Sequence, residues 1–399
     1  MGVNESQLKK VDPSFSHANT YANIPLNVRG RGRGNRFPRN SATNRTEYRR
    51  EAILPQPELL KMSFAATWSI QFPESLAPTP REGHFSTYSE ELQKLYIGYG
   101  TDSVGTIMND VWELDLAQQK WRRIILHDPL FPRTNCSASI SGDLIYVFGG
   151  ETNECEYVSQ LHSINIKTGE ISIADDSLPD YPEPRISPII QAYNQKIFIW
   201  GGSNGSNLSD LSILDLSENH WRTIKIDFQG RSSVPWCLID HKVYSYGGSK
   251  NSSLIIIDLE EESVVQEQCI GSPPPPESSS AGMVRVENSI LYFGGKTQTN
   301  WSLLYALDLS RSWWYVFHVL PDNETVTVRD GRVNEYGQFM LPRTHHFSIG
   351  YSPKDKKVVA TLGAPFNEPP TLFVLSIGEA LGVLHMRDDM LDELARAHT

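Results

Sequence analysis

The chain alternates short runs of β-branched and aromatic residues with clusters of turn-forming residues, and one such run recurs. Leu144-Ile145-Tyr146-Val147-Phe148-Gly149-Gly150 returns as Ile197-Phe198-Ile199-Trp200-Gly201-Gly202, as Val243-Tyr244-Ser245-Tyr246-Gly247-Gly248 and as Ile290-Leu291-Tyr292-Phe293-Gly294-Gly295. The doublets are about 50 residues apart, which is the signature of stacked structural units. Degraded copies flank them: Leu95-Tyr96-Ile97-Gly98-Tyr99-Gly100 before, and Val359-Ala360-Thr361-Leu362-Gly363-Ala364 after. The wider final interval predicts an insertion of about 20 residues, at 321–341.

Other features repeat in step. A Pro-Arg pair opens units at Pro80-Arg81, Pro132-Arg133, Pro184-Arg185 and Pro342-Arg343. A second apolar run ending in Asp or Asn follows each doublet, as in Leu211-Ser212-Ile213-Leu214-Asp215, and the terminal carboxylate or amide suits a tight turn by accepting local backbone amides. A Trp then opens a last strand at Trp121, Trp221 and Trp313 or Trp314. Each unit reads as four short antiparallel strands. The glycines permit sharp turns and close approach, and the Trp covers the space they leave. One such sheet cannot bury both faces, so the units must stack around an axis.

The pattern resembles the kelch-repeat β-propeller family, over roughly residues 64–376. The resemblance implies an all-β fold of six four-stranded blades, at about 80–130, 131–181, 182–229, 230–274, 275–320 and 342–376. Residues 64–71, with Trp68 at the upstream distance shown by Trp121 and Trp221, would supply the sixth blade's outer strand. Such a closing strand removes the open sheet edges that invite aggregation. The first unit departs from the pattern at Tyr99 and the sixth at Gly363-Ala364. The fourth has Gly230-Arg231 in place of Pro-Arg and lacks the Trp.

Composition and charge divide the chain further. At 399 residues it is long for one ordinary core, and repeating units account for that length. Residues 1–62 hold 11 Lys+Arg against 5 Asp+Glu, whereas the remainder holds 25 against 42. A basic tail, expected to be disordered, therefore precedes an acidic body that is unsuited to nucleic-acid phosphates, and DNA is excluded as a partner. No apolar window approaches the ~18 residues of a membrane span, and the start lacks the apolar core of a secretory signal. A cytoplasmic protein is expected, with membrane association only through its tail. Cys136, Cys155, Cys237 and Cys269 form no metal-type pair and read as buried free thiols.

The tail admits several readings. Met1 to Ser6 fits the pattern for myristoylation of Gly2. Lys9, Lys10, Arg29, Arg31, Arg33, Arg36 and Arg39 would add contact with an anionic membrane, because one acyl chain alone anchors only marginally. The Arg-Gly run at 29–34 also has an RNA-contacting reading, disfavoured because no aromatic interleaves with it, and a solvated basic tail remains the plain alternative. Residues 377–399 read as an amphipathic helix through Leu381, Leu384, Leu391 and Leu394. The insertion carries Tyr336, Phe339 and Met340, candidates for a partner-binding loop. Ser272 to Pro276 reads as a rigid linker between blades.

No P-loop, GxSxG or HExxH motif is present. Some kelch propellers are copper-radical oxidases, which use a Cys–Tyr crosslink and His ligands. Here the spacing of His, Cys and Tyr gives no such constellation. His345 and His346, if placed in a strand, would point to opposite faces and not share one channel. No catalytic residue, metal ligand or cofactor is therefore expected. The leading reading is a noncatalytic scaffold that binds a protein through the propeller loops, in signalling, cell polarity or cytoskeletal organisation. A small-molecule enzyme using the channel is the alternative.

Overall fold

A computed structural model describes residues 65–73, 76–250, 252–310 and 312–377. The basic tail and the helix expected at 377–399 lie outside these, apart from Ile377. The described residues form six blades. From the axis outward, blade one is Phe85–Ser89, Lys94–Gly98, Val111–Asp115 and Lys120–Ile124, and blade two is Ser137–Ser141, Leu144–Phe148, Leu161–Asn165 and Ile171–Ile173. Blade three is Ile189–Tyr193, Lys196–Trp200, Leu211–Asp215 and His220–Ile224, and blade four is Trp236–Ile239, Lys242–Tyr246, Ser253–Asp258 and Ser263–Gln268. Blade five is Ser279–Val286, Ser289–Lys296, Leu304–Asp308 and Trp313–Pro321. Blade six is Ser348–Ser352, Lys357–Thr361, Leu372–Ser376 and, from the other end of the chain, Ala65–Gln71.

Within each blade neighbouring strands are antiparallel, and in blades one to five the third strand's terminal Asp or Asn organises the outer turn. Asp215 Oδ1 accepts from the amides of Ser217 and Glu218, Asn165 Oδ1 from Lys167 and Thr168, and Asp258 Oδ1 from Glu260 and Glu261. These local bonds satisfy backbone donors that the ladder leaves open.

The blades meet through one repeated backbone bond. An amide in each blade donates to a carbonyl in the next: Gly100 to Arg133, Gly150 to Arg185, Gly202 to Arg231, Gly248 to Ser278, Gly295 to Thr344 and, closing the ring, Gly363 to Arg81, all at 2.8–3.1 Å. The residue before each of these glycines has a positive φ. That register places Leu362-Gly363, not Gly363-Ala364, as the sixth doublet. Tyr99 and Leu362 adopt φ of 63° and 62° where the other blades have glycine.

Six apolar clusters fill the six joints. The kelch tryptophans belong to them: Trp68 between blades five and six, Trp121 between six and one, Trp221 between two and three. In blade five the register pairs Trp314 with Leu307, as Trp121 pairs with Leu114 and Trp221 with Leu214. Trp314 is fully buried between blades four and five, whereas Trp313 lies on the other face and is only half-buried. Trp314, not Trp313, is thus the repeat's tryptophan.

Blades five and six are joined more extensively than the others. Ala65–Gln71 runs antiparallel to Leu372–Ser376 and parallel to Trp313–Pro321, so the eight strands of both blades, with the short strand Ile270–Gly271, merge in one nine-stranded sheet. The insertion adds to this joint: Trp301–Ser302, Phe339–Pro342 and Arg332–Val333 form a small sheet, and Val326, Phe339 and Leu341 enter the core beside Trp68.

Candidate functional site at the mouth of the central channel

The innermost strands of the six blades surround a cavity of about 430 Å³. At the entry to each innermost strand, one residue takes the left-handed conformation: Gly83, Asn135, Ser187, Ser233, Ser280 and His346, with φ of 47–64°. Their backbones form a collar. The amides of Asn135, Ser187, Ser233, Ser280 and His346 each donate to the carbonyl of the preceding member, at 2.6–3.1 Å. Apart from the amide of Asn135, the side chains at this level are small hydroxyls, Gly83 and one imidazole, so the mouth is open and polar except beside His346.

There the ring closure brings ionisable groups together. Glu82 belongs to blade one, His345 and His346 to blade six. His345 Nδ1 and His346 Nδ1 are 3.0 Å apart, and Glu82 Oε2 is 3.8 Å from the first and 3.5 Å from the second. His346 Nε2 contacts Ser280 Oγ at 2.8 Å. The hydrogen bond from His346, opposed by partial burial, holds the Glu82 carboxyl below its usual range, and burial lowers the affinity of His345 for a proton. His84, on the neighbouring turn of blade one, contacts Ser348 Oγ at 2.7 Å, while its Nδ1 is buried without a partner. Burial depresses its pKa to about 3, so it is a neutral ring.

The two adjacent histidines share one site, contrary to the expectation from strand alternation. The reason is local: neither lies in a strand, and the positive φ of His346 turns its side chain back toward that of His345. Glu82 and His345 hold equivalent positions, each bridged antiparallel to a residue after its blade's doublet, Thr101 and Ala364. Sequence reasoning singled out His345-His346 but not Glu82 or His84. No spacing signal was available, because Glu82 follows Arg81 by one residue whereas His345 follows Arg343 by two, and only the fold makes them equivalent.

The remaining expected site residues fall elsewhere. Gly149, Gly201, Gly247 and Gly294 each press on the following blade, where a Cβ would overlap the carbonyl of Arg185, Arg231, Ser278 and Thr344 respectively. Gly150, Gly202, Gly248 and Gly295 donate the joint bonds described above. Of the three loop candidates, Tyr336 is exposed and Met340 half-buried, but Phe339 is a core residue with its ring 6.0 Å from that of Trp68, so it cannot face a partner. Gly2, Lys9, Lys10, Arg29, Arg31, Arg33, Arg36 and Arg39 lie outside the described residues. The Ser272–Pro276 segment is tied into the ring, with the Pro274 carbonyl accepting from Tyr246 Oη at 2.7 Å. All four cysteines are free. Burial pushes the Cys136 thiol up to about 12, while Cys155 is exposed, unlike the expectation for it.

The profile of the KLHDC2/KLHL20/DRC7 Kelch-repeats domain matches residues 59–248 and, in a second overlapping placement, 137–329. Host cell factor 1 of Homo sapiens is similar, 29% identical over 182 residues, covering 39% of this chain and 9% of that protein. Kelch domain-containing protein 3 of Rattus norvegicus is 25% identical over 202 residues, covering 46% of this chain and 52% of that protein. The flagellar outer-arm dynein alpha chain of Chlamydomonas reinhardtii is 26% identical over 195 residues, 46% of this chain and 4% of that protein. The chain thus spans about half the length of one of these relatives and under a tenth of the other two. With doublets, arginines and tryptophans in equivalent places around a closed ring, and a profile match across most of it, the chain belongs to the Kelch-repeat family.

Proposed function

We propose that this Kelch ring is a noncatalytic protein-interaction module that binds its partner on the face where the channel mouth opens. One observation carries this reading. Because neighbouring strands are antiparallel, the loops between blades and those joining second to third strands all emerge on one face. Most of the exposed large apolar side chains sit on those loops, including Leu76, Val104, Phe131, Val328 and Tyr336, each more than half exposed. The opposite face has short turns with exposed acids such as Glu90, Glu91, Glu260 and Glu261, and among the described residues only Leu92 and Leu216 of the exposed large apolar side chains. Loops on a rigid scaffold are the usual carriers of binding residues, and gathered apolar exposure marks an interaction surface. The acidic balance of the body favours a partner whose contact region is basic at its rim, through faster encounter more than tighter contact.

The test is recovery of partners from native cells with the full chain, comparing Phe131→Asp with Tyr336→Asp on the loop face against Leu92→Asp with Leu216→Asp on the other. Loss of a specific partner only in the first pair supports the reading. Loss only in the second pair overturns the choice of face. A tether through Gly2 and the basic tail is a separate proposal resting on the Met1–Ser6 pattern alone. Intact mass after co-expression with an N-myristoyltransferase decides it, and an unmodified Gly2 removes it.

A further inference from the structure

We infer that Glu82, His345 and His346 form a binding site for one divalent transition-metal ion, of the kind that prefers imidazole and carboxylate together, and that this ion bridges blade six to blade one. Two ring nitrogens and one carboxylate suit Zn²⁺, Fe²⁺, Co²⁺ or Ni²⁺, whereas Mg²⁺ and Ca²⁺ require oxygen ligands. The three ligand atoms are 3.0, 3.5 and 3.8 Å apart. Atoms bound at about 2.1 Å to one ion stand about 3.0 Å apart at right angles and about 3.4 Å apart at tetrahedral angles. A point about 2.1 Å from all three atoms therefore exists, slightly out of their plane, and leaves a side open for water or another ligand.

The backbone holding these groups is fixed before any ion arrives. Glu82 exchanges both backbone bonds with Thr101, at 3.0 and 2.8 Å, and His345 both with Ala364, at 3.0 and 2.9 Å. The His346 amide donates to the Ser280 carbonyl at 2.9 Å, in the collar. The Ser280 hydroxyl at His346 Nε2 supplies the outer partner that ligating histidines commonly have. With an ion bound, Nε2 would donate to that hydroxyl, and Nδ1, which otherwise donates to Glu82, would turn its lone pair to the ion.

The ligands come from positions 82 and 345–346, so an ion here links the two ends of the ring. Binding to the folded state alone raises stability by mass action. The experiment uses tag-free full-length protein stripped with EDTA. CoCl₂ is titrated against visible absorbance, and ZnCl₂ against heat of binding and thermal midpoint, for wild type, Glu82→Gln, His345→Gln and His346→Asn. Asn is chosen because it tolerates the positive φ at 346. Midpoints in EDTA close to wild type verify that the variants fold. One ion per chain, a ligand-field spectrum, a raised midpoint, and at least tenfold weaker binding in Glu82→Gln and His345→Gln support the site. Absence of saturable binding, or equal affinity in those two variants, overturns it. So does binding that is instead abolished by Cys155→Ser, which would place the ion at the exposed thiol.

Discussion

Gly201 faces the carbonyl oxygen of Arg231 in the next blade so closely that any Cβ would overlap it, and its φ of 71° is one that side chains resist. The same relation joins Gly149 to Arg185, Gly247 to Ser278 and Gly294 to Thr344. The doublet is therefore a spacing device: it sets how near one blade's second strand can come to the entry turn of the next.

Gly201→Ala is expected to destabilise the ring by roughly 2–4 kcal/mol, combining backbone strain with displacement of a neighbouring carbonyl. Gly205→Ala is the control. Its φ of 106° imposes strain, but a Cβ there meets nothing within 4 Å, so a loss of only about 1 kcal/mol is expected. Urea unfolding of the two variants measures the difference. Equal losses would mean that strain alone, not the joint, makes glycine necessary.

Arg185 is buried and forks both oxygens of Asp210, at 2.9 and 3.0 Å, while also donating to the Gly201 carbonyl at 3.1 Å. Arg133 sits at the same place one blade earlier but meets the neutral amide oxygen of Gln160 and the Gly149 carbonyl. Arg185→Met leaves a carboxylate without its partner and is expected to cost about 3–5 kcal/mol. Arg133→Met strands only neutral groups and should cost clearly less. Matching losses in denaturant unfolding would show that packing, not charge compensation, dominates at this position.

Trp314 and Trp313 separate in the same way. Trp314 is fully buried against Tyr246 and Tyr292, with ring centroids 5.1 and 6.1 Å away. Trp314→Ala is expected to cost about 3–5 kcal/mol. Trp313→Ala removes a half-buried ring that lies over Gly271 and should cost less than half as much. The reverse order in thermal or urea unfolding would assign the repeat's tryptophan to Trp313 after all.

Much of the ring was legible because its devices are local and periodic. Doublets, the Asp or Asn that ends the third strand of blades one to five and the Trp in the fourth strand of blades one, three, five and six are short motifs whose physical reasons act within a blade or at its joint. The shifts of one residue were not legible. Leu362 and Tyr99 occupy glycine positions in the left-handed conformation, which composition cannot reveal, so the sixth doublet reads one residue late. Trp313 and Trp314 differ only in which face of the strand they take, and the pairing with Leu307 decides that. Phe339 reads as a loop residue because its burial depends on Trp68, far away in the chain. The Glu82, His345 and His346 cluster was hidden for the same reason, since ring closure brings together residues from opposite ends of the repeat array.

His162 gives the last prediction. It is 2% exposed, and its Nε2 meets the hydroxyl of Tyr99 at 3.0 Å across the joint of blades one and two. Burial, with the nearby Arg133 charge, depresses its pKa to about 3. In the unfolded chain the imidazole titrates near 6.5. A folded value below the unfolded one means that its contribution is present in full above about pH 6.5 and is lost as pH falls toward 3, because only the unfolded chain takes up the proton in that window. The slope approaches 1.4 kcal/mol per pH unit, so this one ring should cost about 2 kcal/mol between pH 7 and pH 5. His162→Gln keeps a partner for Tyr99 but has no proton to gain. Urea unfolding at both pH values should therefore show the wild type losing about 2 kcal/mol more than the variant. Equal losses would show that the folded protein already accepts a proton at His162.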